Sequence, residues 1–159
     1  MLAVVMRILR TITLGLAVCW APPLLAQVLQ DAAKTLRPLA EQGQAKAQNL
    51  LGTCYQSGIG GVSRNDAEAL NWFRKAAEQG YGDALGNMAY MYGGGFGVPK
   101  NYVLAEMFVE LAEARHANEF DLKMTRAVVR RHVTAAQTAE AKKRAAECLR
   151  ANFKDCEKM

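Results

Sequence analysis

The tetrapeptide Ala40-Glu41-Gln42-Gly43 recurs as Ala77-Glu78-Gln79-Gly80, and the residues that follow each copy match at the same spacing. At an offset of 37 the pairs Ala47/Ala84, Leu51/Met88, Tyr55/Tyr92, Gly58/Gly95 and Gly60/Gly97 correspond. Gly61 is then an extra residue in the first copy, so the offset drops to 36 and pairs Val62/Val98, Asn65/Asn101, Ala69/Ala105, Trp72/Phe108 and Ala76/Ala112. An insertion inside a glycine-rich stretch marks a loop. Ala32, Thr35, Leu36 and Leu39 fall at the positions of Ala69, Trp72, Phe73 and Ala76, so the array begins with half a unit. A chain of this kind folds as stacked copies of one small motif.

Each unit reads as two helices. Ala47, Leu51 and Tyr55 recur at four-residue spacing and share a face of the first. Ala69, Trp72, Phe73 and Ala76 follow the i, i+3, i+4, i+7 pattern of the second. Gly58, Gly60 and Gly61, or Gly93, Gly94, Gly95 and Gly97, separate the two and permit the positive φ that a tight reversal needs. Asn65 is placed as the N-cap of the second helix, with Glu68 completing a capping box, and Gly80 suits a left-handed C-terminal cap.

The run Ala47 to Tyr55, the Gly58-x-Gly60 and Gly95-x-Gly97-Val98-Pro99-Lys100-Asn101 loops, and Trp72-Phe73-Arg74-Lys75-Ala76-Ala77-Glu78-Gln79-Gly80 together resemble Sel1-like repeats, relatives of the tetratricopeptide repeats. The resemblance covers roughly residues 28 to 116. In the second unit Ala89 stands where the family has a helix-packing glycine, and Val109-Glu110-Leu111 stands where it has an aromatic-arginine-lysine run. The implied fold is all-α, a short right-handed α-solenoid of antiparallel helix pairs with C-terminal capping helices. The implied division is a leading half repeat at 27–43, repeats at 44–80 and 81–116, and capping helices at 117–159.

Residues 1–26 carry Arg7 and Arg10, an apolar run from Ile12 to Trp20, and Ala21-Pro22-Pro23-Leu24-Leu25-Ala26, without an acidic residue. This is the layout of a secretory signal peptide cut after Ala26. A retained anchor competes with it, but the run falls short of the ~20 residues that span a bilayer and Pro22-Pro23 ends the helix. Lipidation at Cys19 is a further alternative, weakened by Val18 where a small residue belongs. Cleavage removes two arginines and lowers the formal net charge from +5 to +3, too mild to specify an acidic partner. The expected location is periplasmic or secreted, with no stable membrane span after cleavage.

Cys148 and Cys156 are eight residues apart near the end of a helix, and in an oxidising compartment their disulfide would tie the tail onto that helix. Two buried thiols are the alternative if the chain is not exported. Cys54 reads as a small buried apolar residue. Phe120, Met124, Ala127 and Val128 form an apolar stripe on a helix that Asn118 is placed to cap. Thr134 and Gln137 make a capping box ahead of the stripe Ala141, Ala145, Cys148 and Leu149. Such helices would cover the end of a solenoid.

Residues suited to catalysis are scarce. Ser57 and Ser63 lie in the turn between repeat helices, outside any Ser-x-x-Lys or Gly-x-Ser-x-Gly pattern. His116 and His132 are sixteen apart and match no zinc-ligand spacing; His116 instead suits a helix C-terminus. The Gly93-to-Lys100 stretch lacks the Gly-Lys-Ser/Thr ending of a phosphate loop and is a repeat turn. The basic groups Arg126, Arg130, Arg131 and His132, and Lys142, Lys143 and Arg144, have no interleaved aromatics, which argues against nucleic acid and leaves an anionic envelope surface possible.

Helix pairs that stack in this way curve, and the first helix of each unit lines the concave side. If the chain is similar to tetratricopeptide units, the groove is lined by exposed Lys46, Asn49, Thr53 and Gln56 from one unit and Asp83, Gly86 and Tyr90 from the next. Tyr90, an aromatic with a polar tip, is the foremost of these. Leu51, Tyr55, Trp72, Phe73, Met88, Tyr92 and Phe108 are assigned to the core. The function expected is that of an exported scaffold or adaptor that binds another protein or a peptide segment, with no cofactor and no metal. Some small exported members of the family have been associated with binding or hydrolysing β-lactams, which makes an enzyme the alternative, carried by resemblance alone.

Overall fold

The computed structural model describes residues 31–158 of the 159. The signal-peptide, anchor and lipidation readings fall on residues 1–26 and lie outside the described residues. Within them the chain forms α1 (Ala32–Glu41), α2 (Ala45–Ser57), α3 (Asp66–Ala77), α4 (Gly82–Gly94), α5 (Tyr102–Ala114), α6 (Glu119–Val129), α7 (Ala135–Arg150) and a final 3-10 turn, Cys156–Lys158. No strand occurs among the described residues. Each helix packs on its sequence neighbour from α1 to α6, α6 also rests on α4, and α7 returns to α5. The fold is an all-α solenoid.

The two full units repeat their hydrogen bonds as well as their residues. Gly58 and Gly95 end α2 and α4 in the left-handed conformation. The backbone then turns so that Asn65 N–H donates to Tyr55 O at 2.8 Å and Asn101 N–H to Tyr92 O at 2.9 Å. The Asn65 and Asn101 side chains accept from Glu68 N–H and Leu104 N–H, each at 3.0 Å, which starts the second helices. Deeper in each loop, Gly60 and Gly97 press on the start of the preceding second-type helix. A Cβ on Gly60 would lie 3.0 Å from Ala33 N, and one on Gly97 would lie 2.7 Å from the Asp66 backbone. Gly60 O also accepts from Ala33 N–H at 3.0 Å.

Leu51, Trp72, Phe73, Met88, Tyr92 and Phe108 are buried, and Tyr55 is half-buried with its hydroxyl bonded to Arg37. The core falls into a small cluster under α1 and α2, containing Leu51, Cys54 and Trp72, and a larger one from α3 to the tail. Gly80 adopts φ +70° just beyond α3, as a left-handed cap should.

Four local expectations need correction. In α1 the buried residues are Ala33 and Ala40, not Ala32 and Leu39, because α1 has α2 on one side only among the described residues; Leu39 is exposed. Glu68 does not close a capping box on Asn65: its carboxylate accepts from Trp72 Nε1–H at 2.9 Å, while Asn65 N–H is taken by Tyr55 O. Among the described side chains of α6, which do not include Phe120, Leu122 and Val129 are buried, and Met124, Ala127 and Val128 are exposed. The face of α6 that turns inward is flanked by cations: Arg126 pairs with Glu113 at 2.8 Å, and Arg130 with Glu106 at 3.0 Å. In α7, Ala141, Ala145 and Cys148 are buried but Leu149 is exposed. The Thr134–Gln137 capping box is complete.

Beyond α7 the chain reverses through Asn152, Phe153 and Asp155, all at positive φ. Cys148 and Cys156 are paired, with Cα atoms 5.1 Å apart. Phe153 is buried beside Gly80, where a Cβ would meet its ring at 2.8 Å, and lies beneath the Arg115 guanidinium. Glu157 pairs with Arg74 of α3 at 2.8 Å. The tail therefore bridges the two units, touching Arg74 and Gly80 of the first and Arg115 of the second. His116, just past α5, has φ +54° and is exposed at the helix end.

Candidate functional site

Asn87 of α4 reaches Asn49 of α2, and α6 packs on α4 in the place of a third first-type helix. Between them runs a groove of about 580 Å³. Asn49, Thr53 and Gln56 of α2 and Asp83, Gly86 and Tyr90 of α4 line it, whereas Lys46 is exposed and lies outside the lining. The position of Asn49 corrects the expectation of an exposed side chain: it is only 7% accessible, and its Oδ1 accepts from Asn87 Nδ2 at 2.9 Å. Tyr90 is exposed and stacks on Phe96 with ring centroids 5.0 Å apart. Leu122 and Met124 of α6 form the facing apolar wall.

Asn87, Phe96, Leu122 and Met124 also line the groove, beyond the residues that sequence spacing assigns to it. Asn87 was legible, since it stands one helical turn from Asp83. Phe96 lies in the loop after α4 and reaches back over Tyr90, a contact that helical spacing does not encode. Leu122 and Met124 join only because α6 stacks against α4 as another unit would.

The charges around the groove are already engaged. Arg64 Nε and Nη2 donate to the two carboxylate oxygens of Asp66 at 3.1 and 3.0 Å. Asp83 accepts from Asn118 N–H at 2.8 Å, and its proximity, after burial, raises the Tyr81 hydroxyl above its ordinary value. Thr53 donates to Asn49 O at 3.1 Å along its own helix. What faces the open space is therefore mostly uncharged, a mixture of amide, hydroxyl, aromatic and aliphatic groups suited to hydrogen bonding and apolar contact.

Elsewhere the chemistry is spare. Burial raises the Cys54 thiol above its ordinary value, the opposite of an activated thiolate. No group of three or more His, Cys, Asp or Glu residues able to hold a metal occurs among the described residues. No helix among them is long and apolar enough to cross a membrane.

Residues 45–81 and 82–115 each match the Sel1 repeat family model. The chain contains two Sel1 repeats. Among curated proteins, this Sel1-repeat chain is 39% identical over 74 residues to the ERAD-associated E3 ubiquitin-protein ligase component HRD3B of Arabidopsis thaliana, covering 46% of the chain and 11% of that protein. It is 41% identical over 64 residues to chitin synthase regulatory factor 3 of Schizosaccharomyces pombe, covering 39% of the chain and 7% of that protein. The chain thus spans about a tenth of the length of these relatives. A solved structure of a protective antigen present in uropathogenic Escherichia coli strains, with an SLR fold, superposes with a TM-score of 0.69 at 27% identity, over 82% of this chain and 28% of that one. A Sel1 repeat protein from Oxalobacter formigenes superposes with a TM-score of 0.52 at 40% identity, over 58% and 37%.

Proposed function

We propose that this Sel1-repeat protein is an exported scaffold or adaptor that holds a segment of another protein in the groove between α2, α4 and α6. The observation that carries the reading is the groove itself, lined by the amides of Asn49, Gln56 and Asn87 together with Tyr90, Phe96, Leu122 and Met124. Interfaces draw their energy from a few rigid aromatic anchors set among adaptable polar contacts, and Tyr90 with Phe96 supplies such an anchor. Export is supported by the composition of residues 1–26 and by the Cys148–Cys156 pair, which suits an oxidising compartment.

A photo-crosslinking amino acid at Tyr90 tests the site when set against one at exposed Lys75 on the outer surface of α3. The same discrete adduct from Tyr90 and not from Lys75 is expected in cell-envelope material. Adducts from Lys75 alone would move the working surface to the convex side. Export is tested by the mass of the protein recovered after expression of the full chain, which should begin at Gln27.

A further inference from the structure

Gly86 is unlike every other glycine within the described helices. A Cβ on Gly52 would lie 2.6 Å from the Phe73 ring, on Gly82 2.8 Å from Arg115 O, on Gly93 3.3 Å from Val129, and on Gly94 2.1 Å from Phe96. Those glycines are explained by packing. At Gly86 the only atom within 4 Å is Leu122 Cδ1, at 3.8 Å, an ordinary contact. Glycine inside a helix is destabilising relative to alanine, yet nothing inside this protein uses the room it leaves. That room is a notch in the groove, between Asn49 and Asn87 on one side and Leu122 on the other.

The hydrogen-bonding capacity beside the notch is complementary to a peptide unit. One amide oxygen and one amide nitrogen are consumed in the Asn49–Asn87 bond. The pair keeps an NH₂ group and a carbonyl for a ligand, whichever way the two amides are turned. A helical ligand has its backbone groups satisfied internally and could use neither; an extended segment presents both at each residue. The charged members of the lining, Arg64 and Asp83, are of opposite sign and each already bonds within the protein, so the groove offers no net charge to draw a charged occupant out of water.

Building on the proposed function, we infer that the groove takes an uncharged segment of its partner in extended conformation. The backbone seats over Gly86 and bonds to the Asn49–Asn87 pair, and one aromatic or aliphatic side chain packs on the Tyr90–Phe96 stack.

The test is selection of linear random 12-residue peptides, displayed on phage, against protein expressed from the full chain, followed by titration of the selected sequences as synthetic peptides. Selected peptides should share an uncharged core with one large apolar residue. Gly86→Leu should weaken them at least tenfold, and so should N-methylation of the core amides. Gly86→Ala, which fits without a clash, should weaken them about threefold while raising the unfolding temperature, so loss of binding cannot be loss of fold. Peptides that bind Gly86→Leu as well as wild type, or a selection that yields none, would overturn the groove reading itself. Peptides sensitive to Gly86→Leu but indifferent to N-methylation, or with charged cores, would leave the groove in place and overturn the extended, uncharged ligand.

Discussion

Arg130, one residue past the end of α6, reaches the fully buried carboxylate of Glu106 on α5 at 3.0 Å. Glu106 Oε2 has no hydrogen-bond partner among the described residues, so the arginine is the principal compensation for a charge taken out of water. Removing one partner of a buried pair typically costs 3–5 kcal/mol. Because the arginine itself is partly exposed, Arg130→Ala should cost about 2 kcal/mol in urea denaturation, and Glu106→Gln should cost less, since it buries no charge. Equal losses from the two would mean that packing, not charge, holds this junction.

Gly52 and Phe73 are an interlocked pair, for a Cβ on Gly52 would enter the Phe73 ring. The second unit has alanine and valine at the equivalent positions, Ala89 and Val109, both fully buried. The two units thus solve one packing problem with a large and a small residue, or with two of middling size. Gly52→Ala should destabilise by about 1–3 kcal/mol despite its better helix propensity. Adding Phe73→Val should recover part of that loss, and a double-mutant cycle in chemical denaturation would show the coupling as strongly non-additive.

The Cys148–Cys156 pair closes a short loop around the left-handed reversal at Asn152 and Phe153. Reduction, or Cys148→Ser with Cys156→Ser, should lower stability by about 2–3 kcal/mol. Thermal unfolding with and without reductant checks this. Arg74→Ala should then destabilise the reduced protein less than the oxidised one, because an untethered tail no longer holds Glu157 in place.

Three buried or half-buried acids carry values raised by burial: the Cys54 thiol, the Tyr81 hydroxyl and the Tyr92 hydroxyl, the last helped further by Glu157. Each is neutral in the folded state at a pH where the unfolded chain has begun to ionise. Their contribution is therefore intact below the ordinary thiol and phenol values, about 8.5 to 10, and is lost as pH rises through the folded ones. Stability should be level to about pH 8 and decline above it. Cys54→Ala should make the decline begin at higher pH.

The repeat units were legible because sequence identity at fixed spacing reports shared environment: Tyr55 with Tyr92, and Asn65 with Asn101, make the same hydrogen bonds in both copies. The ends were less so. In α1 and α6 the apolar residues outnumber the positions that packing can cover, and the buried face is set by which neighbour exists. For α6 that face is the one beside Arg126 and Arg130, whose pairing with Glu113 and Glu106 has no signature in apolar periodicity. At the groove, spacing along α2 and α4 points to most of the helical lining but includes Lys46, which lies outside it, and omits Asn87 and also Phe96, which arrives through a loop. Helical spacing puts Asn49 at the groove but carries no sign of its burial, because its bond to Asn87 joins residues 38 apart.

The seating of Gly60 on Ala33 and of Gly97 on Asp66 means that each glycine loop belongs mechanically to the helix pair before it as much as to its own. A cut or transplant made at the boundary suggested by sequence periodicity would sever that clasp. The natural building block for shortening, lengthening or grafting this array is accordingly out of phase with the sequence motif, running from one second-type helix through the next glycine loop.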